Sequence, residues 1–349
     1  MASGTRPDRV RRWGLRHWLP SVFPAVGVLA VGVLAAGVLT ACGGSAPQKG
    51  PEKPRTSVAP SAPAVGVNAT AADGRGAIRP LPALSGCTRT LTDATSAKEA
   101  LSRASPGDKI CITGDLGDFR MKVNYSGTEQ APIQVVGDGQ TRVRGIDVDA
   151  SYVLVDGFTV LNAASPEIQL NGVNITLQNT VARHATTDGY DSVQFFGDNI
   201  KILHNTLGGN SGDPAETPSC IETSSTDASS SPSRNVLIDS NRCENTTYAC
   251  LSAAGPHGPR GTGQGQTSEI RFTNNYCQAQ VAAVSLNDVQ SATISGNVVD
   301  GPDHAWSLQN NSTGAKVAGN TIAPGTAYEV GMDDSSKAGY QGPSVGGAP

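Results

Sequence analysis

Apolar and polar residues alternate along the middle of the chain in short bursts that return at nearly constant spacing. NIKILHNTL (199–207), NVLIDSNRC (235–243) and EIRFTNNYC (269–277) share one pattern: an apolar-x-apolar pair, an Asn three positions on, and an apolar residue two further along. YVLVDGFTV (152–160), NITLQNTVA (174–182), SATISGNVV (291–299) and GAKVAGNTI (314–322) follow it too. Aligned, the position before the final pair is held by Phe158, Thr180, Asn205, Asn241, Asn275, Asn297 and Asn320, at intervals of 22, 25, 36, 34, 22 and 23. With insertions of about a dozen residues set aside from the two long intervals, one period near 23 remains, the mark of a solenoid.

A second alternating segment lies midway between copies: EIQLN (167–171), SVQFF (192–196), CIETS (220–224), CLSAA (250–254), AVSLN (283–287) and AWSLQ (305–309). Period-two alternation is strand chemistry, and the residue after the Asn supplies a third short strand. Leucine-rich repeats of similar period need several Leu and a helical segment per repeat, which are absent. The turn spacing of a β-sandwich, about 8–12 residues, would not hold one Asn register over five copies. The expectation is an all-β right-handed parallel β-helix, with the recurring Asn at an αL corner and its amide bonding to the coils above and below.

Before the repeats, ATSAKEALSRASPGDKICIT places Ala97, Ala100, Leu101 and Ala104 on one helical face. Pro106-Gly107 ends that helix and Ile110-Cys111-Ile112 begins a strand. A helix followed by A-x-P-G-D-x-I-x-I resembles the N-terminal cap of secreted β-helix proteins of the pectate-lyase-like superfamily. The resemblance spans about residues 85–330 and bears on fold rather than chemistry. It implies a polysaccharide groove along one outward strand face, walled by loop insertions.

On that face the midway strands present Gln169, Gln194, Glu222, Ser252, Ser285 and Ser307. Planar amides and hydroxyls suit sugar hydroxyls, and equally suit plain solvent exposure. Insertions at 208–219, 225–234 and 255–266 cluster around the Glu222 and Ser252 strands, which points to function there. Glu222, His257 and Arg260 are the titratable groups of that stretch, with Arg183, His184, Asp188 and Asp191 just upstream.

TTDGYD resembles the N-T-D-G motif of polygalacturonase-type inverting hydrolases, with Asp188 at the motif Asp. Their paired Asp-Asp one turn later is replaced here by Ser219-Cys220, and Asp188 before Gly189 is also ordinary turn chemistry. Inversion needs two carboxyls, and Asp188 with Glu222 is the pair on offer. Calcium-dependent lyases of the superfamily use acidic clusters on successive outward strands, whereas only Glu222 is acidic on this face, so no cofactor is evident and Ca2+ is unsupported. A metal-free lyase would use Arg260 or Arg183 to neutralise the uronate and His257 or His184 as base. The alternative is a non-catalytic module that binds a uronate-containing or cell-wall glycan, or serves as a spacer.

The ends add location. Arg6, Arg9, Arg11, Arg12 and Arg16 precede an uncharged apolar run, Leu19–Ala41, closing in Leu39-Thr40-Ala41-Cys42. This resembles a bacterial lipoprotein signal (1–41) lipidated at Cys42, with an uncleaved anchor as the alternative, since the run nearly spans a bilayer. Either way the rest of the chain is expected at the outer face of the membrane. Arg11-Arg12 gives only a weak hint of twin-arginine export.

Residues 42–82, rich in Pro, Ala, Gly and Ser, read as a tether, 83–332 as the β-helix and 333–349 as a disordered tail. Without the leader, 21 Lys and Arg face 29 Asp and Glu, a net charge of −8 that argues against nucleic acid. A monomer is expected. Six further cysteines, none in CxxC spacing, suit disulfides in an oxidising compartment. Cys87 and Cys111 would tie cap to first turn. Cys243 with Cys277 and Cys220 with Cys250 stack on adjacent turns, and Cys243–Cys250 is the rival pairing.

Overall fold

The computed structural model describes residues 81, 84–183, 191–209, 218–224, 230–256 and 262–349. The expected leader, Cys42 and nearly all of the tether, together with His184, Asp188, His257 and Arg260, lie outside the described residues. Among the described residues no helix is long and apolar enough to cross a membrane.

Most coils carry three strands, two early ones fuse a pair into one long strand (Ile133–Val143 and Val153–Leu161), and stacked strands pair in parallel from coil to coil. The midway segments form a ten-stranded sheet in strict chain order, from Arg120–Val123 through Gly145–Asp149, Ile168–Asn171, Val193–Phe196, Ile221–Ser224, Ala249–Ala254, Ala282–Asn287, His304–Gln309 and Tyr328–Met332 to Val345–Gly347. The strands on either side of the Asn position join a second, seventeen-stranded sheet that bends at that corner. The interior is columns of in-register apolar residues. Ile146, Ile168, Val193, Ile221, Leu251, Val284, Trp306 and Val330 stack on the first sheet and are all buried. Parallel pairing of this kind needs both faces of each strand shielded or polar outward, which the alternation supplies.

The Asn column is a continuous ladder, offset from the expected backbone geometry by one residue. Asn205, Asn241, Asn275 and Asn297 point inward and are at most 2% exposed. Each side-chain oxygen accepts from the backbone N–H of the preceding coil's counterpart: Thr180 N to Asn205 Oδ1 at 2.9 Å, then Asn205, Asn241, Asn275 and Asn297 onto the next Asn at 2.8–2.9 Å. Each Nδ2 also reaches the carbonyl of an inward residue one coil back, as Asn241 does to Ile202 at 2.8 Å. The positive φ falls on the residue before the ladder: Asn179, His204, Ser240, Asn274, Gly296 and Gly319, at 50–69°. The corner is turned there, which frees the ladder Asn to face the core and satisfy backbone groups water cannot reach.

Helix Ala94–Leu101 closes the first coil. Asp93 caps it by accepting from Ser96 N at 2.9 Å, and Ala97, Ala100 and Leu101 bury against the core. Cys87–Cys111 ties the segment before the helix to the first core strand.

The stacked pairings expected for the other cysteines are not the ones formed. Cys243 and Cys277 are in register, yet the bonds are Cys220–Cys243 and Cys250–Cys277, with Cα separations of 6.0 and 5.9 Å. Residues in register on parallel strands send their side chains in the same direction, so close Cα atoms alone do not bring sulfurs together. Cys220 and Cys243 instead face each other across one coil.

Residues 333–349 are not a loose tail. Asp333 accepts from Asn310 N at 2.6 Å and Ser336 N at 3.0 Å, Val345–Gly347 adds the last strand, and Tyr328 Oη donates to Ala348 O at 2.7 Å. This polar segment orders by bonding onto the terminal coil, a route its lack of apolar period concealed.

Candidate functional site

Register builds the outward face of the ten-stranded sheet one residue per coil. Gln169, Gln194, Glu222, Ser252, Ser285 and Ser307 are consecutive partners, and the column continues upstream through Asp147 to Lys122. Those two had a signal, the alternation in RMKV and GIDVD, that the repeat spacing did not reach. Gln169, Gln194, Glu222 and Ser252 are half-exposed. Ser285 and Ser307 are 4% exposed, and Ser285 Oγ lies 3.1 Å from Tyr248 Oη. The open part of the face therefore runs from Lys122 to Ser252.

At its downstream end two carboxyl groups meet. Asp191, 6% exposed, sits two residues before the inward Val193 and accepts from Ser219 N at 2.9 Å. Glu222 on the next coil faces it, and the two carboxyls interact directly. Burial pushes the Asp191 carboxyl well above the ordinary range, and the facing Glu222 raises it further. A second charge facing Glu222 in this buried place is costly, which favours the protonated form of Asp191. One coil back is a third carboxyl, Glu167. It is fully buried, neither oxygen has a regular hydrogen-bond partner, and burial raises it to about 8 against the relief given by the Ser192 hydroxyl.

Arg183 is not at this face. It ends strand Val181–Arg183 of the other sheet, where its Nη2 donates to Glu244 Oε2 at 2.9 Å. Glu244 also binds Arg242, whose guanidinium lies 4.1 Å from the Tyr276 ring centre. Of the expected site residues, then, Glu222, Asp191, Gln194, Gln169 and Ser252 come together; Ser285 is covered and Arg183 is committed elsewhere.

Upstream, Arg120 grips Asp147 through Nε and Nη2 at 2.6–2.9 Å and also donates to Pro166 O at 2.9 Å. Among the described residues no three His, Cys, Asp or Glu side chains converge as a metal site would require. Ca2+ takes 6–8 oxygen ligands. Among the described residues the column offers Glu222, with Asp191 beside it, and an Asp147 already occupied by Arg120.

A right-handed β-helix family model matches residues 144–322, and the chain belongs to that family. Its fold is the right-handed parallel β-helix that the sequence predicts. Among solved structures it is similar to the PL6 family alginate lyase AlyGC, at 18% identity and a TM-score of 0.53, over 67% of this chain and 35% of that one. It is also similar to the PL6 family polysaccharide lyase Pedsa3628 from Pseudopedobacter saltans, at 17% identity and a TM-score of 0.51, over 67% and 63%. The chain thus spans about a third of the first and under two-thirds of the second, and at these identities the likeness is one of fold. No curated protein matches by sequence.

Proposed function

We propose that the protein binds a uronate-containing polysaccharide along the open face and cleaves it by β-elimination at the Asp191–Glu222 pair. The buried Asp191 carboxyl beside half-exposed Glu222 on the open face carries this reading. A carboxyl pushed upward by burial and by a facing carboxyl is a perturbed group of the kind that concentrates at reactive sites. Hydrolysis would need two carboxyls about 5–5.5 or 6.5–9.5 Å apart with the glycosidic bond between them, a gap that the direct interaction of Asp191 with Glu222 does not leave. Elimination needs one base.

In this scheme Asp191 keeps its proton and orients Glu222, the exposed carboxylate. Glu222 takes the proton from C5 of the uronate, the C5–H electron pair forms the C4=C5 double bond, and the C4–O bond breaks. Glu222 returns the proton to the departing oxygen. The Gln169 and Gln194 amides, on adjacent strands, donate to the uronate carboxylate and disperse the charge that develops.

Incubation with pectin, alginate, hyaluronan and chondroitin tests the proposal. The expected product is an unsaturated sugar absorbing in the ultraviolet. New reducing ends without that absorbance would mean hydrolysis, and binding without product would leave a glycan-binding module. We further propose export and anchoring through lipidated Cys42, supported by the three disulfides, which favour an oxidising compartment. Cys42→Ala is expected to shift the protein from membrane to medium; an unchanged membrane fraction would refute it.

A further inference from the structure

We infer that the capped end of the rod holds a second glycan subsite, which takes an anionic sugar of the same polymer upstream of the reacting bond. The inference rests on the polysaccharide reading above and extends it past Lys122, the upstream end of the open face, to the cavity under the helix. Between the helix and the first face strands lies a cavity of about 790 Å3, lined by Lys98, Phe119, Lys122, Asn124 and Tyr125 among others. Tyr125 is 48% exposed, one of two large apolar side chains left open among the described residues. An aromatic ring facing solvent beside amide and ammonium donors is the equipment of a sugar site: the ring packs on a pyranose face, the donors take hydroxyls and a carboxylate.

The charge balance favours an anion. Lys122 is 64% exposed and approaches Asp147 only to 3.8 Å, while Asp147 is already saturated by Arg120. The acidic lining residue, Asp118, is paired with Arg144 at 2.7 Å. Lys98 and Lys122 are thus left to act on a ligand.

The cavity is continuous with the face. A second depression of about 290 Å3 shares Lys122 and Asn124 with it and runs over Asp147, Asp149, Gln169 and Asn171. From Lys122 to Glu222 are four strand spacings, roughly 19 Å at ~4.8 Å each, a span for several sugar rings in an extended chain. The chain's own segment 43–80 is a poor occupant, because its five basic residues (Lys49, Lys53, Arg55, Arg75, Arg79) against two acidic (Glu52, Asp73) would meet the cavity's lysines with like charge.

The test uses the full chain with alginate and polygalacturonate hexasaccharides and their disaccharides as probes. The K98A variant and, separately, Y125A are expected to weaken hexasaccharide binding at least tenfold in Kd while leaving any disaccharide affinity and the melting temperature unchanged. Both side chains line the open cavity, so folding should survive; Tyr125→Phe should restore most of the lost affinity. Hexasaccharide affinity unchanged in both variants, with wild type binding, overturns this inference alone. No uronate binding by wild type overturns the polysaccharide reading and this inference with it. A peptide of residues 43–80 that displaces the hexasaccharide would assign the cavity to the tether instead, and equally overturn it.

Discussion

Asp191 and Glu222 have separate jobs, and substitution separates them. Glu222→Gln removes the proton acceptor but keeps size and hydrogen bonding, so product formation is expected to fall by ~10²–10⁴-fold with melting little changed. Equal activity in the variant would move the chemistry elsewhere. Asp191 acts through Glu222, and a pH profile exposes that role. As pH rises through the elevated Asp191 pKa, Asp191 gains a charge facing Glu222, so wild-type activity should decline on the alkaline side. Asp191→Asn has no proton to lose. Its alkaline decline should disappear; an alkaline limb identical to wild type would contradict a protonated Asp191. Glu222 was legible because alternation alone places it outward. Its coupling to Asp191 was not, since the contact crosses from the corner of one coil to the strand of the next, a geometry that local period does not encode.

The Asn ladder is the element where sequence and structure agree most closely, apart from the single-residue offset in backbone conformation. Its energetics are position-dependent. Asn241 is 2% exposed; its oxygen accepts from Asn205 N, and its amide donates to Ile202 O and Asn275 Oδ1. Asn241→Ala would leave several buried backbone partners unmet, which is expected to cost about 3 kcal/mol. Asn320 ends the ladder and is half-exposed, so water can replace it and Asn320→Ala should cost under ~1 kcal/mol. Denaturant titration of both decides it, and equal losses would mean that the ladder does not act through buried satisfaction. The disulfides mark where reading by register fails. It placed the right cysteines on neighbouring coils, but sulfur position depends on side-chain direction, which joins Cys220 to Cys243 within a coil rather than to Cys250 above it.

For the β-helix as a whole, stability is a sum over coils, and one coil carries an unusual burden. Glu167 stands where the neighbouring coil offers Ser192 and the next Cys220, and its oxygens are sealed in without regular partners. Its folded pKa, about 8, lies above the ordinary 4.5. A carboxyl raised on folding contributes stability that is complete below pH 4.5 and is lost as pH climbs through 8, because the folded state must then bury a bare charge or shed it by unfolding. The Asp191 shift has the same sign. His304 and Asp333 have lowered values, so their contributions are lost instead as pH falls. Glu167→Gln isolates the first effect, since an amide of the same shape cannot ionise. The variant should match wild type near pH 4 and exceed it above pH 8 by on the order of a few kcal/mol. Urea unfolding at those two pH values provides the measurement. A stability difference that fails to grow between them would mean that Glu167 enters the folded state already charged, and that the coil next to the reactive pair is wetter than its burial implies.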